Sequence, residues 1–252
     1  MKILLPPSET KHPGGTGDPL DPAALALPGL HEHRTAVIDA LVDLAADEEQ
    51  ARRVLKLSER QVGDIAHNRM LRSAPTMPAI DRYTGVLFDA LDARTLSAAS
   101  RRWLGEHVWI HSAPFGPVGA LDGIPPYRLA AGTALPGLVA MRRHWADPTS
   151  AALAEAEPAF VLDLRSEAYV ALGPIPTSVP SAYVRVVTDD GDGGARALNH
   201  FNKKSKGQLV RALAESRPRI GSLRSLLIWA SKHDIVLRRT EDDRVLELVV
   251  TE

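Results

Sequence analysis

The spacing of apolar and polar positions predicts helices and strands interleaved along the whole chain. Ile3 to Leu5 is a short apolar run stopped by Pro6 and Pro7, the mark of a brief buried strand. Residues 12–22 are rich in Gly and Pro and read as loop. Between Arg34 and Glu48, Val37, Ile38, Leu41, Val42 and Leu44 fall largely on one helical face. Two more helices are predicted over Asp47–Leu55 and Ser58–Met70, the latter opened by Ser58 with Gln61 three residues on, a capping-box pattern. Helices over Thr95–Leu104, Leu138–Trp145 and Ser150–Glu155 alternate with strands over Val108–His111, Ala159–Leu164 and Ala182–Val187. Ser112–Pro126 reads as loop, Ser166-Glu167 as a helix start and Asp189–Gly194 as a turn between strands. The clearest amphipathic helix is Asn199–Ser216, with Leu209, Val210 and Leu213 on its apolar side. A short helix over Ser222–Ser231 and a hairpin of Ile235–Arg239 with Arg244–Val250 close the chain. Strands scattered among helices, without a linker or repeat, argue for one mixed α/β (α+β) domain over residues 1–252, a central mixed sheet surrounded by helices. The spacing does not give clean βαβ units, so a doubly wound sheet is not expected.

Composition narrows the function classes. The 252 residues are 44% hydrophobic and 24% charged, ordinary for a globular protein, and a chain of this size buries enough surface to fold without staples. With no cysteine there is no disulfide framework, thiolate zinc site, cysteine-ligated cluster or cysteine nucleophile. The N-terminal apolar run is too short for a signal-peptide core, and no stretch approaches a membrane span, so a cytoplasmic location and no membrane partner are expected.

Charge changes the picture more. The formal net charge is −1, yet between Arg196 and Thr240 eleven Lys and Arg face only Glu215 and Asp234, a formal +9 that leaves −10 elsewhere. Such asymmetry suits an anionic partner; equally, these cations could pair with acids from the rest of the fold. Lys203, Lys204 and Lys206 crowd the first turns of the Asn199–Ser216 helix. Cations there oppose the helix dipole, a local cost that an anion would relieve.

Other candidate chemistry is less sharp. No Walker loop, dinucleotide fingerprint, nucleophile elbow or zincin helix is present. His31 and His33 lack a third ligand at defined spacing, and none of the nine histidines forms a facial triad with a carboxylate, so no metal and no cofactor are expected. Leu55–Arg72 could form two helical pieces hinged near Gly63, offering turn amides and Lys56 to a phosphate backbone; one continuous surface helix with a tolerated glycine fits better, since the usual Gly-x-Gly hairpin is missing. Tyr83, Thr84, Asp122, Tyr127 and Arg128 lie in loop-forming segments where a scaffold could converge polar groups on a ligand, or simply shape turns.

Five segments in this order resemble the YaaA family of peroxide-stress proteins: ILLPPSETK, DRYTGVLFDAL, HSAPFG…LDGIPPYRLAAG, VLDLRSEAY and FNKKSKG. They span nearly the whole chain, and the YTG, PYRL-x-x-G and KK-x-x-G elements together are specific. The resemblance implies one compact α/β domain in the cytosol, a role in limiting free iron and the DNA damage it drives, and DNA binding in a positively charged cleft with a helix–hairpin–helix-like element. It maps the family's polar positions onto Tyr83, Thr84, Gly85, Asp122, Tyr127, Arg128, Ser166, Glu167, Tyr169, Lys203, Lys204 and Gly207, with Ser8, Glu9 and Lys11 in the N-terminal motif. Three charges differ: Glu9 stands where many members carry a lysine, Gly119 where they carry an arginine, and Ala130 where they carry a glutamate.

Two functions follow as expectations. In the first, the chain binds DNA by shape rather than sequence, with Lys203, Lys204, Lys206 and Arg211 on phosphates and Arg128 and Lys56 as further contacts. In the second, it is an enzyme on a small anionic, nucleotide-like or phosphorylated substrate, with Asp122 or Glu167 as acid or base and Tyr83 or Tyr127 orienting the substrate. An acidic protein on the basic face is a third. The sequence does not fix the oligomeric state; a monomer is the default.

Overall fold

The computed structural model describes residues 1–189, 195–197 and 201–250. Along the chain come β1 (Lys2–Leu5), β2 (Gly17–Pro19), α1 (His31–Ala46), α2 (Glu48–Val54), α3 (Ile65–Arg69), β3 (Pro75–Pro78), α4 (Ala79–Arg82) and α5 (Val86–Leu91). Next are α6 (Ala98–His107), β4 (Val108–Ser112), β5 (Gly116–Gly119), β6 (Gly123–Ile124), α7 (Met141–Glu155), β7 (Val161–Asp163) and α8 (Glu167–Val170). The chain closes with β8 (Ser181–Asp189), β9 (Ala195–Ala197), α9 (Phe201–Ser216), α10 (Leu223–Ser231), β10 (Val236–Arg239) and β11 (Val245–Val250).

The strands form an eight-stranded mixed sheet in the order β10-β11-β8-β7-β1-β4-β5, with β9 also on β8. The core of the sheet is parallel: β4, β1, β7, β8 and β11 run the same way, and β5, β9 and β10 are antiparallel to their neighbours. Ile3, Leu4 and Leu5 are fully buried, as are Val108, Ile110, Val161 and Leu162. Strands apolar on both faces belong in a sheet covered on both sides. Ile3 and Leu5 enter the main core, while Leu4 points the other way into a smaller cluster with Trp109, Leu153, Val161 and Val179. A separate small sheet, β2-β3-β6, lies off this path.

Several sequence expectations need correction. The Gly/Pro-rich segment 112–126 carries β5 and β6, because Gly116, Pro117, Val118 and Gly119 pair with Ser112, His111, Ile110 and Trp109 as an edge strand. The two helices expected over 138–155 are one helix, α7, with Pro148 inside it; Trp145 and Thr149, both fully buried on either side of the proline, hold it to the body. The helix expected over Ser58–Met70 is a 3₁₀ stretch, Glu59–Asp64, running directly into α3, with the Ser58–Gln61 capping box formed. The turn expected over Asp189–Gly194 lies, from residue 190 on, outside the described residues; β8 and β9 pair antiparallel on either side of it. Residues 199 and 200 of the basic helix lie outside them too.

Strand order decides where a ligand would go. β1 sits between β4 on one side and β7 on the other, all three parallel. Connections leaving their carboxyl ends diverge, and open α/β sheets bind ligands in the crevice at such a switch point. The segment leaving β1 is residues 6–11, the one leaving β4 begins at Ala113, and the one leaving β7 is 164–169.

Candidate functional site

Residues 8–11, in the segment leaving β1, pair with the Tyr83-Thr84 segment. Lys11 forms a β-bridge with Tyr83, and Thr84 N–H donates to the Thr10 carbonyl at 3.1 Å. The Thr84 hydroxyl donates to Thr10 Oγ1 at 2.9 Å, and Ser8 Oγ lies 3.3 Å from the same atom. Gly85 follows at φ 96°, in the region that favours glycine, and a Cβ there would stand 3.3 Å from Ser8 Oγ. The result is a row of three hydroxyls held by backbone pairing.

Beneath the row lie two buried tyrosines. Tyr83 and Tyr127 hydroxyls are 2.8 Å apart, with Tyr83 stacked on Phe88 and Tyr127 edge-on to Phe115. Burial pushes both phenols well above their ordinary pKa, so they are neutral donors rather than bases. The Lys11 ammonium sits 4.0 Å from the centre of the Tyr127 ring and donates to the Ser8 and Glu9 carbonyls at 3.0 and 3.2 Å. Burial, and then the nearby Arg128 guanidinium, hold its pKa down to about 7. Arg128 reaches Glu9 at 3.3 Å, and its backbone is fixed by buried Asn68, which accepts from Arg128 N–H at 2.7 Å and donates to its carbonyl at 2.8 Å. Glu9 thus faces a cation in this crevice, and Lys11 supplies an ammonium two residues on.

A second buried polar group comes from β4, β7 and α9. Arg165, fully buried, donates to both Asp163 oxygens at 2.9 and 2.7 Å, to the Gly173 carbonyl at 2.9 Å and to His111 Nδ1 at 2.9 Å. A guanidinium only donates, so His111 accepts at Nδ1 and carries its proton on Nε2. Burial, and then Arg165, hold the His111 pKa well below its ordinary value, leaving the ring neutral. Beside this group stands Lys206, 4% exposed, its ammonium 5.4 Å from the centre of the Tyr183 ring. Burial lowers its pKa to about 8, with Asp163 acting the other way. Lys206 makes no hydrogen bond or ion pair among the described residues; the Asp163 carboxylate nearby is already taken by Arg165.

The remaining expected residues are placed differently. Asp122 clamps a turn: its Oδ2 accepts from Ala26 N–H and Gly119 N–H, both at 2.7 Å. Gly207 is where α9 crosses α5, since a Cβ there would stand 2.2 Å from the Leu87 carbonyl oxygen. Ser166 and Glu167 are exposed at the start of α8, and Tyr169 is half-buried, its ring 5.8 Å from that of His111. Lys206, expected on a surface, is inside. Arg211 is tied to Glu215 at 2.9 Å, to the Leu91 and Asp92 carbonyls and to Thr95 Oγ1. Lys203, Lys204 and Lys56 are exposed, Lys56 at φ 53° in the turn after α2. No group of three or more His, Cys, Asp or Glu suited to a metal occurs among the described residues. Asn68, Asp163, Arg165 and His111 were not singled out by the sequence. Their signal was weak but present, as polar residues inside apolar runs such as VWIHS and VLDLR.

These clusters are built from the segments whose sequences carry the family resemblance. A family model described as peroxide stress protein YaaA matches residues 1–229. The chain belongs to the YaaA family of peroxide stress proteins. A UPF0246 protein of Corynebacterium efficiens is 46% identical over 220 residues, covering 86% of each chain, and one of Streptomyces coelicolor is 45% identical over 217 residues, covering 84% of this chain and 82% of its own. A Corynebacterium glutamicum UPF0246 protein is 40% identical over 255 residues, covering 99% of this chain and all of its own. Membership of the YaaA family supports a role in oxidative stress. No helix among the described residues is long and apolar enough to cross a membrane.

Proposed function

We propose that the chain contributes to the peroxide-stress role of its family by binding a small anionic molecule in the crevice at the carboxyl ends of β1, β4 and β7. Lys206 carries this reading. An ammonium inside a protein is costly without a partner, and this one has no hydrogen bond or ion pair among the described residues while Arg165 occupies the nearest carboxylate. An anion would supply the missing partner. Lys11, Arg128 and the hydroxyls of Ser8, Thr10 and Thr84 would offer further donors at the mouth. Tyr83 and Tyr127 would orient a substrate if turnover occurs, with Asp122 or exposed Glu167 as acid or base.

The test is a panel of phosphorylated and carboxylated metabolites screened by thermal shift and calorimetry on the full chain. At least one should raise the melting temperature, and Lys206→Met should weaken that binding about tenfold or more. Binding should also fade as pH rises through about 8, where Lys206 loses its proton. No shift with any anion, or full binding by the Lys206 variant, would overturn the proposal.

Exposure of Lys203, Lys204 and Lys56 favours a second reading, in which DNA phosphates lie along these side chains and the helical pieces of residues 59–69 act as the helix–hairpin–helix-like element. Binding would then fall with salt at a log–log slope near about −0.9 per phosphate neutralised. Fluorescence anisotropy on duplex and bulged DNA would show that slope, reduced by about 2 in Lys203→Ala/Lys204→Ala. Salt-independent binding would sink this reading.

A further inference from the structure

A cavity of about 540 Å³ opens at the other end of the sheet, by the amino ends of β1 and β4, and the crevice reading makes no use of it. Its size falls within the range of ligand pockets, about 300–1,000 Å³. Trp103 and His107 line one side, from the last turns of α6; Arg217, Arg219 and Ile220 line the other, from the link between α9 and α10.

The link is fixed in place. The Trp229 indole donates to Ser216 Oγ at 3.0 Å just before it, and Gly221 N–H donates to Ser225 Oγ at 3.2 Å at its end. Ile220 is buried and Pro218 restricts the backbone between the two arginines. Arg217 itself is at φ 48°, the left-handed conformation that ends α9, with its N–H donating to the Leu213 carbonyl at 2.8 Å. Neither guanidinium makes a hydrogen bond or ion pair among the described residues. Both side chains are exposed, so two guanidiniums with no such partner among the described residues stand two positions apart at the cavity, and a guanidinium suits phosphate. Opposite them, the Trp103 and His107 rings lie parallel, 4.2 Å apart and 8° from coplanar. His107 Nδ1 donates to the Trp103 carbonyl at 2.9 Å, which holds the imidazole in the stack. Lys2 adds positive charge near His107 and Glu106 is the nearby acid.

We propose that this cavity binds a mononucleotide, with its phosphates on Arg217 and Arg219 and its base extending the Trp103–His107 stack. The site is independent of the carboxyl-end crevice, because β1 runs between them.

The test titrates AMP, ATP and inorganic pyrophosphate into the full chain by calorimetry. Wild type should bind the nucleotides, and Arg217→Gln/Arg219→Gln should weaken them by about ten- to a hundredfold. His107→Ala should weaken AMP while leaving pyrophosphate unchanged, a difference that a general loss of charge or of fold would not produce. Lys206→Met, which disables the crevice, should leave nucleotide binding intact. The proposal is overturned by absence of nucleotide binding, by binding insensitive to the arginine pair, by equal loss of AMP and pyrophosphate in the His107 variant, or by loss on changing Lys206. Binding of a DNA oligonucleotide without any mononucleotide would also overturn it.

Discussion

At the scale of single residues, the crevice is governed by buried charge. Arg165 is enclosed, and its charge is balanced by the bidentate contact with Asp163. Taking away one partner of a buried pair leaves an uncompensated charge, at a cost of about 3–5 kcal/mol. Asp163→Asn should therefore lower stability by about that amount in chemical denaturation, and a change below about 1 kcal/mol would show that water reaches Arg165. Lys206 and Lys11 act on stability in the opposite sense to a salt-bridged group. Their folded pKa values, about 8 and about 7, lie below the ordinary lysine value of 10.5. Between those values the unfolded chain holds more protons than the folded one, so stability rises with pH across that window and the penalty is complete below it. Denaturation midpoints from pH 6 to 10 should climb for wild type, with a smaller climb for Lys206→Met. None of this was legible in sequence, where Asp163 and Arg165 are two polar letters in an apolar strand and Lys206 is one of three similar lysines. Burial separates Lys206 from Lys203 and Lys204, and burial is set by which face of α9 meets β8.

At the scale of elements, periodicity carried most of the information. Strands β1, β4, β7 and β8 and helices α1, α2, α6, α9 and α10 lie close to where the apolar spacing put them, because each covers several residues whose burial repeats at 2 or 3.6. Elements too short to show a period were missed: α4, α5, β5 and the small β2-β3-β6 sheet. The break expected between Trp145 and Ser150 is absent for a different reason: packing of buried Trp145 and Thr149 overrides the helix-breaking tendency of Pro148. Gly207 illustrates a motif residue whose task is packing. It lets α9 lie against α5, and a methyl group there would collide with the Leu87 backbone rather than with a flexible side chain. Gly207→Ala should destabilise by about 1–3 kcal/mol or more, with an unchanged crevice pH response in whatever fraction folds. A stability loss below about 0.5 kcal/mol would mean that the two helices separate easily.

At the scale of the whole molecule, the formal +9 of residues 196–240 is partly paired and partly enclosed. Arg211 pairs with Glu215 and Asp92, Arg238 with Glu247 and Arg239 with Asp243; Lys206 is enclosed, and Arg217 and Arg219 line a cavity by the amino ends of β1 and β4. The sequence by itself determined the class of fold, the family and most of the long elements, since these depend on local spacing and on residues read in order. Only the tertiary structure decided that β1 lies between β4 and β7, that the 8–11 segment meets Tyr83 and Thr84, and that Lys206 is buried near Asp163 and the Tyr183 ring. Those facts depend on contacts between residues tens to hundreds of positions apart, and a chain that buries both faces of its central strands leaves no trace of strand order in their apolar pattern.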